Sequence, residues 1–83
     1  MFVYEVRENM GYDGIGDRVL VKDDENALEK VKGTLIEMLN KVDYPTVVFS
    51  INEVNELSKL GDYHNFEVGY FLSFEVEKIE VIW

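Results

Sequence analysis

From Phe66 to Val76 every second residue is apolar or aromatic, Phe66, Val68, Tyr70, Leu72, Phe74 and Val76, while Glu67, Gly69, Phe71, Ser73 and Glu75 fill the positions between. Period-two alternation puts the two sets on opposite sides of an extended chain. Such a run commits the chain to a sheet, because a half-buried strand is stable only with neighbours along its edges and a layer over its apolar face. The spacing predicts one main strand over 66–76. After Glu77-Lys78 the phase slips to Ile79, Val81 and Trp83, which predicts a bulge or a reversal into a fifth strand. The bulge is favoured, since Glu-Lys makes a poor two-residue turn.

Residues 2–8 (FVYEVRE) alternate in the same way, with Phe2, Tyr4 and Val6 against Val3, Glu5 and Arg7, and residues 17–22 (DRVLVK) follow with Val19 and Val21. Three glycines lie between them and admit positive φ, so the two strands are expected as antiparallel neighbours joined by a long hairpin loop. Asp23 or Asp24 is placed to cap a helix on which Leu28, Val31, Leu35, Met38 and Val42 recur at helical spacing. Gly33 lies off that stripe, where it weakens the helix by about 1 kcal/mol or marks the approach of another backbone. Tyr44-Pro45 stops the helix, and TVVFSIN (46–52) reads as a strand through Val47, Phe49 and Ile51. Asn52 then caps a short helix on which Val54, Leu57 and Leu60 share a face, closed by Gly61.

These elements make one α+β domain over residues 1–83: an antiparallel sheet of four to five strands with one main α-helix packed on one face, in the order β-β-α-β-short helix-β(-β). A chain of 83 residues buries roughly 60–65% of its unfolded surface, enough for a single core. With 47% hydrophobic and 13% aromatic residues it has the apolar content that disordered chains lack. The absence of cysteine excludes a disulfide framework and thiolate metal sites, and favours a cytoplasmic setting. MFVYEVRE has acids where a signal peptide has bases, and no apolar run approaches the roughly 18 residues of a membrane span.

The net charge is −9 and unevenly placed: residues 1–29 hold eight acids and three bases, 30–43 two acids and three bases, and 44–83 seven acids and two bases. The expected helix is therefore nearly neutral, and the acid excess falls on strands and loops. A negative surface repels phosphate and anionic lipid, so direct nucleic-acid or membrane binding is disfavoured and a basic protein surface is the complementary partner.

Glu5, Glu67, Glu75 and Glu77 or Glu80 are expected on the open face of the sheet. Carboxylates two residues apart on a strand are about 6.8 Å apart, twice the ~3.4 Å axial rise per nucleotide of one DNA strand, so such a row can imitate a phosphate backbone. GYDGIG (11–16) lacks the lysine and helix N-terminus of a phosphate loop, and reads instead as a hairpin tip offering Tyr12 and Asp13 to a partner. Phe71 is a further anchor, with Tyr44, Tyr63 and Trp83 also candidates, because aromatic residues dominate binding hot spots. KDDENALE lacks calcium-loop spacing. His64, the one histidine, has no companion ligands for a metal, although Asp62 or Glu67 offers it an acid–base partner. No serine sits in a nucleophile elbow. No catalytic, cofactor-binding or metal-binding residue is expected.

In size and charge, though in no residue motif, the chain resembles the small acidic cysteine-free proteins of phages and mobile elements, among them anti-restriction proteins, anti-CRISPR proteins and uracil-DNA glycosylase inhibitors. That resemblance implies a non-enzymatic inhibitor that docks on the basic surface of a nuclease or other nucleic-acid-binding enzyme as a DNA mimic. Its residues would be Glu5, Tyr12, Asp13, Glu67, Phe71, Glu75, Glu77 and Glu80. The alternatives are a homo-oligomeric module whose ending EKIEVIW pairs across a sheet edge into a homodimer, and an immunity-type protein that binds one dedicated partner without mimicry.

Overall fold

The computed structural model describes residues 1–82. Its elements are β1 (Phe2–Asn9), β2 (Ile15–Lys22), α1 (Ala27–Leu39), α2 (Val47–Glu56), β3 (Tyr63–Glu67) and β4 (Ser73–Glu80). The four strands form one antiparallel sheet in the order β2-β1-β4-β3. The architecture is α+β, as the sequence predicts, with both helices on one face.

That face carries Tyr4, Val6, Val21, Phe66, Phe74 and Val76, which close a core with Ala27, Val31, Leu35, Met38 and Leu39 of α1 and Val54 of α2. β1 and β2 pair as expected, and Gly11 and Gly14 of the connecting loop adopt φ of +64° and +84°. Asp24 does not cap α1. Its carboxylate accepts the Asn26 N–H at 2.9 Å and its carbonyl the Ala27 N–H at 3.1 Å, making a turn just before the helix, while Asp23 pairs with Lys78 at 3.4 Å.

Two expected strands are different objects. TVVFSIN forms the first part of α2, and Asn52 lies inside that helix rather than capping a separate one. The buried residues Ser50 and Val54, with half-buried Val47, Ile51 and Leu57, recur at helical spacing. Burial at that period outweighs the strand preference of the β-branched residues. Phe49, expected in the core, points to solvent instead.

The run 66–76 is a hairpin. Val68 N–H donates to the Leu72 carbonyl at 2.9 Å, and Gly69, Tyr70 and Phe71 form the tip. Because residue 68 stands opposite residue 72, even-numbered residues on both arms face the core, so the alternation continues unbroken through a reversal. Tyr70, the residue expected in mid-core, is fully exposed.

The slip after Lys78 is neither a bulge nor a turn, since β4 pairs with β1 without interruption from Asn9↔Ser73 to Phe2↔Glu80. It marks a change of apolar face: Ile79 lies opposite Val3 on the open side, while Lys78 turns to the helix side with its ammonium 4.7 Å from the centre of the Phe2 ring. Trp83, the end of the expected fifth strand, lies outside the described residues. β4 is flanked by β1 and by β3 with Asp62, whose carbonyl accepts the Lys78 N–H at 2.9 Å. On that side β3 and Asp62 cover Glu77 and Lys78 of EKIEVIW, and among the described residues no strand flanks Ile79 and Glu80.

A Cβ built on Gly33 meets no atom within 4 Å. Gly33→Ala is accordingly expected to raise the unfolding free energy by about 0.5–1 kcal/mol through helix propensity alone, measured by urea denaturation. A loss of stability would show that the space beside Gly33 is needed by the folded monomer.

Candidate interaction surface

The open face is organised around Arg7. Its Nε donates to Glu75 at 3.0 Å, and its Nη1 donates to Glu77 at 2.8 Å and to Glu5 at 3.2 Å. The register explains the convergence, because Glu75 lies directly opposite Arg7 and Glu77 opposite Glu5. Glu75 also accepts from Asn9 Nδ2 at 3.2 Å and from the Tyr63 hydroxyl.

Burial disfavours ionised Glu75, yet the bonds from Tyr63, Arg7 and Asn9 outweigh it and hold the carboxyl below its ordinary value. The bond to Glu75 pushes the Tyr63 phenol up. Arg7 is raised, its bond to Glu77 being the largest cause, with burial opposing. Three of the expected carboxylates thus share one guanidinium. The row that would imitate phosphates carries much of its charge inside an ion-pair cluster, with the Glu75 residue only 8% exposed.

The polar cluster leads to an aromatic one. Asn9 Oδ1 accepts the Gly11 N–H at 3.0 Å, anchoring the short 3-10 turn Gly11–Asp13 at the end of the sheet. A Cβ on Gly11 would stand 3.3 Å from both Cβ and O of Phe71, so glycine is needed there for close approach as well as for its positive φ. The consequence is that Tyr12 and Phe71, far apart in sequence, meet with ring centres 5.8 Å apart. Tyr12 is 95% exposed, Tyr70 101%, Phe49 67% and Phe71 65%.

A groove of about 620 Å³ runs among these elements, lined by Gly11, Thr46, Phe49, Tyr70 and Phe71 among others, and Glu67 is the single charged side chain on its wall. α2 is fastened beside it by two hydroxyls, Ser50 Oγ donating to the Glu67 carbonyl at 2.9 Å and Thr46 Oγ1 to the Val68 carbonyl at 2.7 Å.

The structure therefore divides the eight expected residues. Tyr12, Asp13, Phe71 and Glu67 gather at the aromatic end; Glu5, Glu75 and Glu77 gather at Arg7; Glu80 lies opposite Phe2, on the other face from Glu75 and Glu77. Tyr44 is exposed, and Tyr63 belongs to the Arg7 cluster. His64 is in β3, where its Nε2 accepts the Gly61 N–H at 2.8 Å instead of pairing with an acid. Sequence reasoning missed Arg7, Phe49 and Tyr70. Gly69, in the middle of an alternating run, was the available signal for a turn that lifts Tyr70 out of the core. Among the described residues there is no group of three potential metal ligands, and no helix is long and apolar enough to cross a membrane. No protein-family model matches the sequence, and neither a curated protein nor a solved structure matches it significantly.

Proposed function

We propose that this chain is a non-enzymatic inhibitor or binding protein whose aromatic end docks on a basic surface of a nucleic-acid-binding enzyme in the cytoplasm. The observation that carries this reading is a groove walled by the exposed aromatic residues Phe49, Tyr70 and Phe71, with exposed Tyr12 against Phe71 and Glu67 as the one charged wall residue, on a chain of net charge −9. Exposed aromatic clusters supply binding energy, and acids around them repel nucleic acid while steering basic partners into place. Mimicry of DNA of the anti-restriction or anti-CRISPR type is the special case in which the partner surface is the enzyme's own nucleic-acid groove.

The test is capture from a lysate of the encoding organism, eluted in salt steps and, separately, with excess duplex DNA. The expected partner is a nucleic-acid-binding protein released as salt rises, because screening shortens from about 10 Å at 0.1 M to about 3 Å at 1 M. Release by duplex DNA identifies mimicry; release by salt but not by DNA identifies a dedicated partner bound elsewhere. Binding indifferent to salt would overturn the docking of an acidic surface on a basic one.

A further inference from the structure

We propose that the outer edge of β2 is a homodimer interface, at which a second copy of this chain adds its own β2 in antiparallel register centred on Val19. This goes beyond the docking function above and uses a separate surface. The sheet ends in two edges, β2 and β3. β3 has five residues, and Ser50 plugs its Glu67 carbonyl. β2 pairs with β1 in regular register from Arg18 to Lys22, with a shift between Ile15 and Arg18, contains no proline, and leaves Leu20 64% exposed.

The direction of its backbone groups follows from the ladder. Asp23 donates its N–H to the Phe2 carbonyl. With the register Tyr4↔Val21 and Val6↔Val19, Val21 and Val19 face β1, and Arg18, Leu20 and Lys22 face outward. The Lys22 carbonyl accepts the Asp24 N–H at 3.0 Å. Arg18 and Leu20 keep amide and carbonyl without a backbone partner among the described residues, the state that strand addition satisfies.

Beside this edge runs a groove of about 490 Å³, its far wall the α1 stripe Lys30, Gly33, Thr34 and Glu37. Gly33, off the core stripe, keeps that wall low.

Charge selects the occupant and the register. In a chain of −9, the groove and edge carry Arg18, Lys22 and Lys30 against Asp17 and Glu37, so this is a place where two acidic copies meet with least repulsion. Outward-facing residues must pair with outward-facing residues, which leaves few registers. Centring on Leu20 opposes Arg18 to Lys22 and Asp17 to Asp23; centring on Arg18 opposes it to itself. Both set like charges together. Centring on Val19 opposes Val19 to its twin, Arg18 to Leu20 and Asp17 to Val21. Asp17 then lies on the helix side next to the partner's Val21, which shares its groove with Lys30. Lys30 has only a 3.9 Å approach to Asp24 within its own chain. A twofold pairing uses up both β2 edges, so assembly stops at two.

Sedimentation velocity over a concentration series tests this. The wild type is expected to dimerise reversibly. Leu20→Pro removes an outward N–H without touching the ladder to β1 and abolishes the dimer. Asp17→Lys, which turns two opposite-charge contacts into like-charge ones, weakens the dimer about tenfold, and adding Lys30→Asp restores it. Circular dichroism confirms that each variant is folded, and Leu20→Lys serves if the proline variant is not. A wild type monomeric at every concentration, a dimer that both Leu20 variants leave intact, or an Asp17→Lys defect that Lys30→Asp does not repair would overturn the proposal. So would a chain that stays monomeric while β2 captures an extended segment of another protein. Tyr12 and Phe71 variants leave dimerisation unchanged, so failure here is separable from failure of the docking function.

Discussion

Replacing Arg7 by alanine is expected to lower the unfolding free energy by about 3 kcal/mol at neutral pH, the lower end of the cost of orphaning a buried ion pair. The guanidinium side chain is 17% exposed and holds Glu5, Glu75 and Glu77 together. Without it three carboxylates converge on the open face with no cation between them. The cost is pH-dependent, and its sign follows from Glu75. A carboxyl held below its ordinary value in the folded state contributes stability above its unfolded pKa and loses it as the pH falls through the folded one. The wild type therefore weakens on acidification below the ordinary carboxyl value of 4.5. In Arg7→Ala, the bond from Arg7 that helps hold Glu75 down is gone, so burial pushes that carboxyl upward and protonation relieves it. The gap between the two proteins in urea denaturation narrows from neutral pH towards pH 4. A gap that stays constant would mean that Arg7 acts by packing alone.

The second large effect separates two residues of one alternating run. Phe74 is fully buried and lies opposite Phe66, so Phe74→Ala is expected to cost about 3–5 kcal/mol. That is a large share of the roughly 4–12 kcal/mol available to a domain of this length. Tyr70→Ala, at a position of the same parity, is expected to change stability by no more than about 0.5 kcal/mol, because the hairpin tip holds Tyr70 in solvent. Thermal melts of the two variants decide the matter. Equal losses would restore the single strand that the alternation suggests.

What the sequence revealed and what it hid have physical reasons. The β1–β2 hairpin was legible because two alternating runs flank glycines whose positive φ the loop requires. α1 was legible because Val31, Leu35 and Met38 repeat at a period no strand shares. The stretch 46–52 was misread because Val47, Phe49 and Ile51 satisfy a strand pattern in a window too short to show the helical face that Val54 continues. The run 66–76 was misread because a hairpin tip between residues 68 and 72 preserves parity, so periodicity alone does not detect the reversal.

At the candidate site, residue chemistry pointed to Tyr12 and Phe71 separately, one on a hairpin tip and the other on the open face of the expected main strand, but their meeting depends on Gly11 closing against Phe71. Arg7 went unrecognised as an organiser because its three partners come from its own strand and from β4, and only the register brings them together. Local pattern therefore gave candidates, while tertiary pairing decided which carboxylates are shared with Arg7 and which flank the aromatic end.

The most direct test of the docking surface is partner capture by the Tyr12→Ser/Phe71→Ser double variant beside the wild type, with matched thermal melts to show that both are folded. Two hot-spot aromatics worth about 2 kcal/mol each predict a loss of affinity of at least about a hundredfold. Undiminished capture by the double variant would contradict the assignment of the aromatic end as the binding surface.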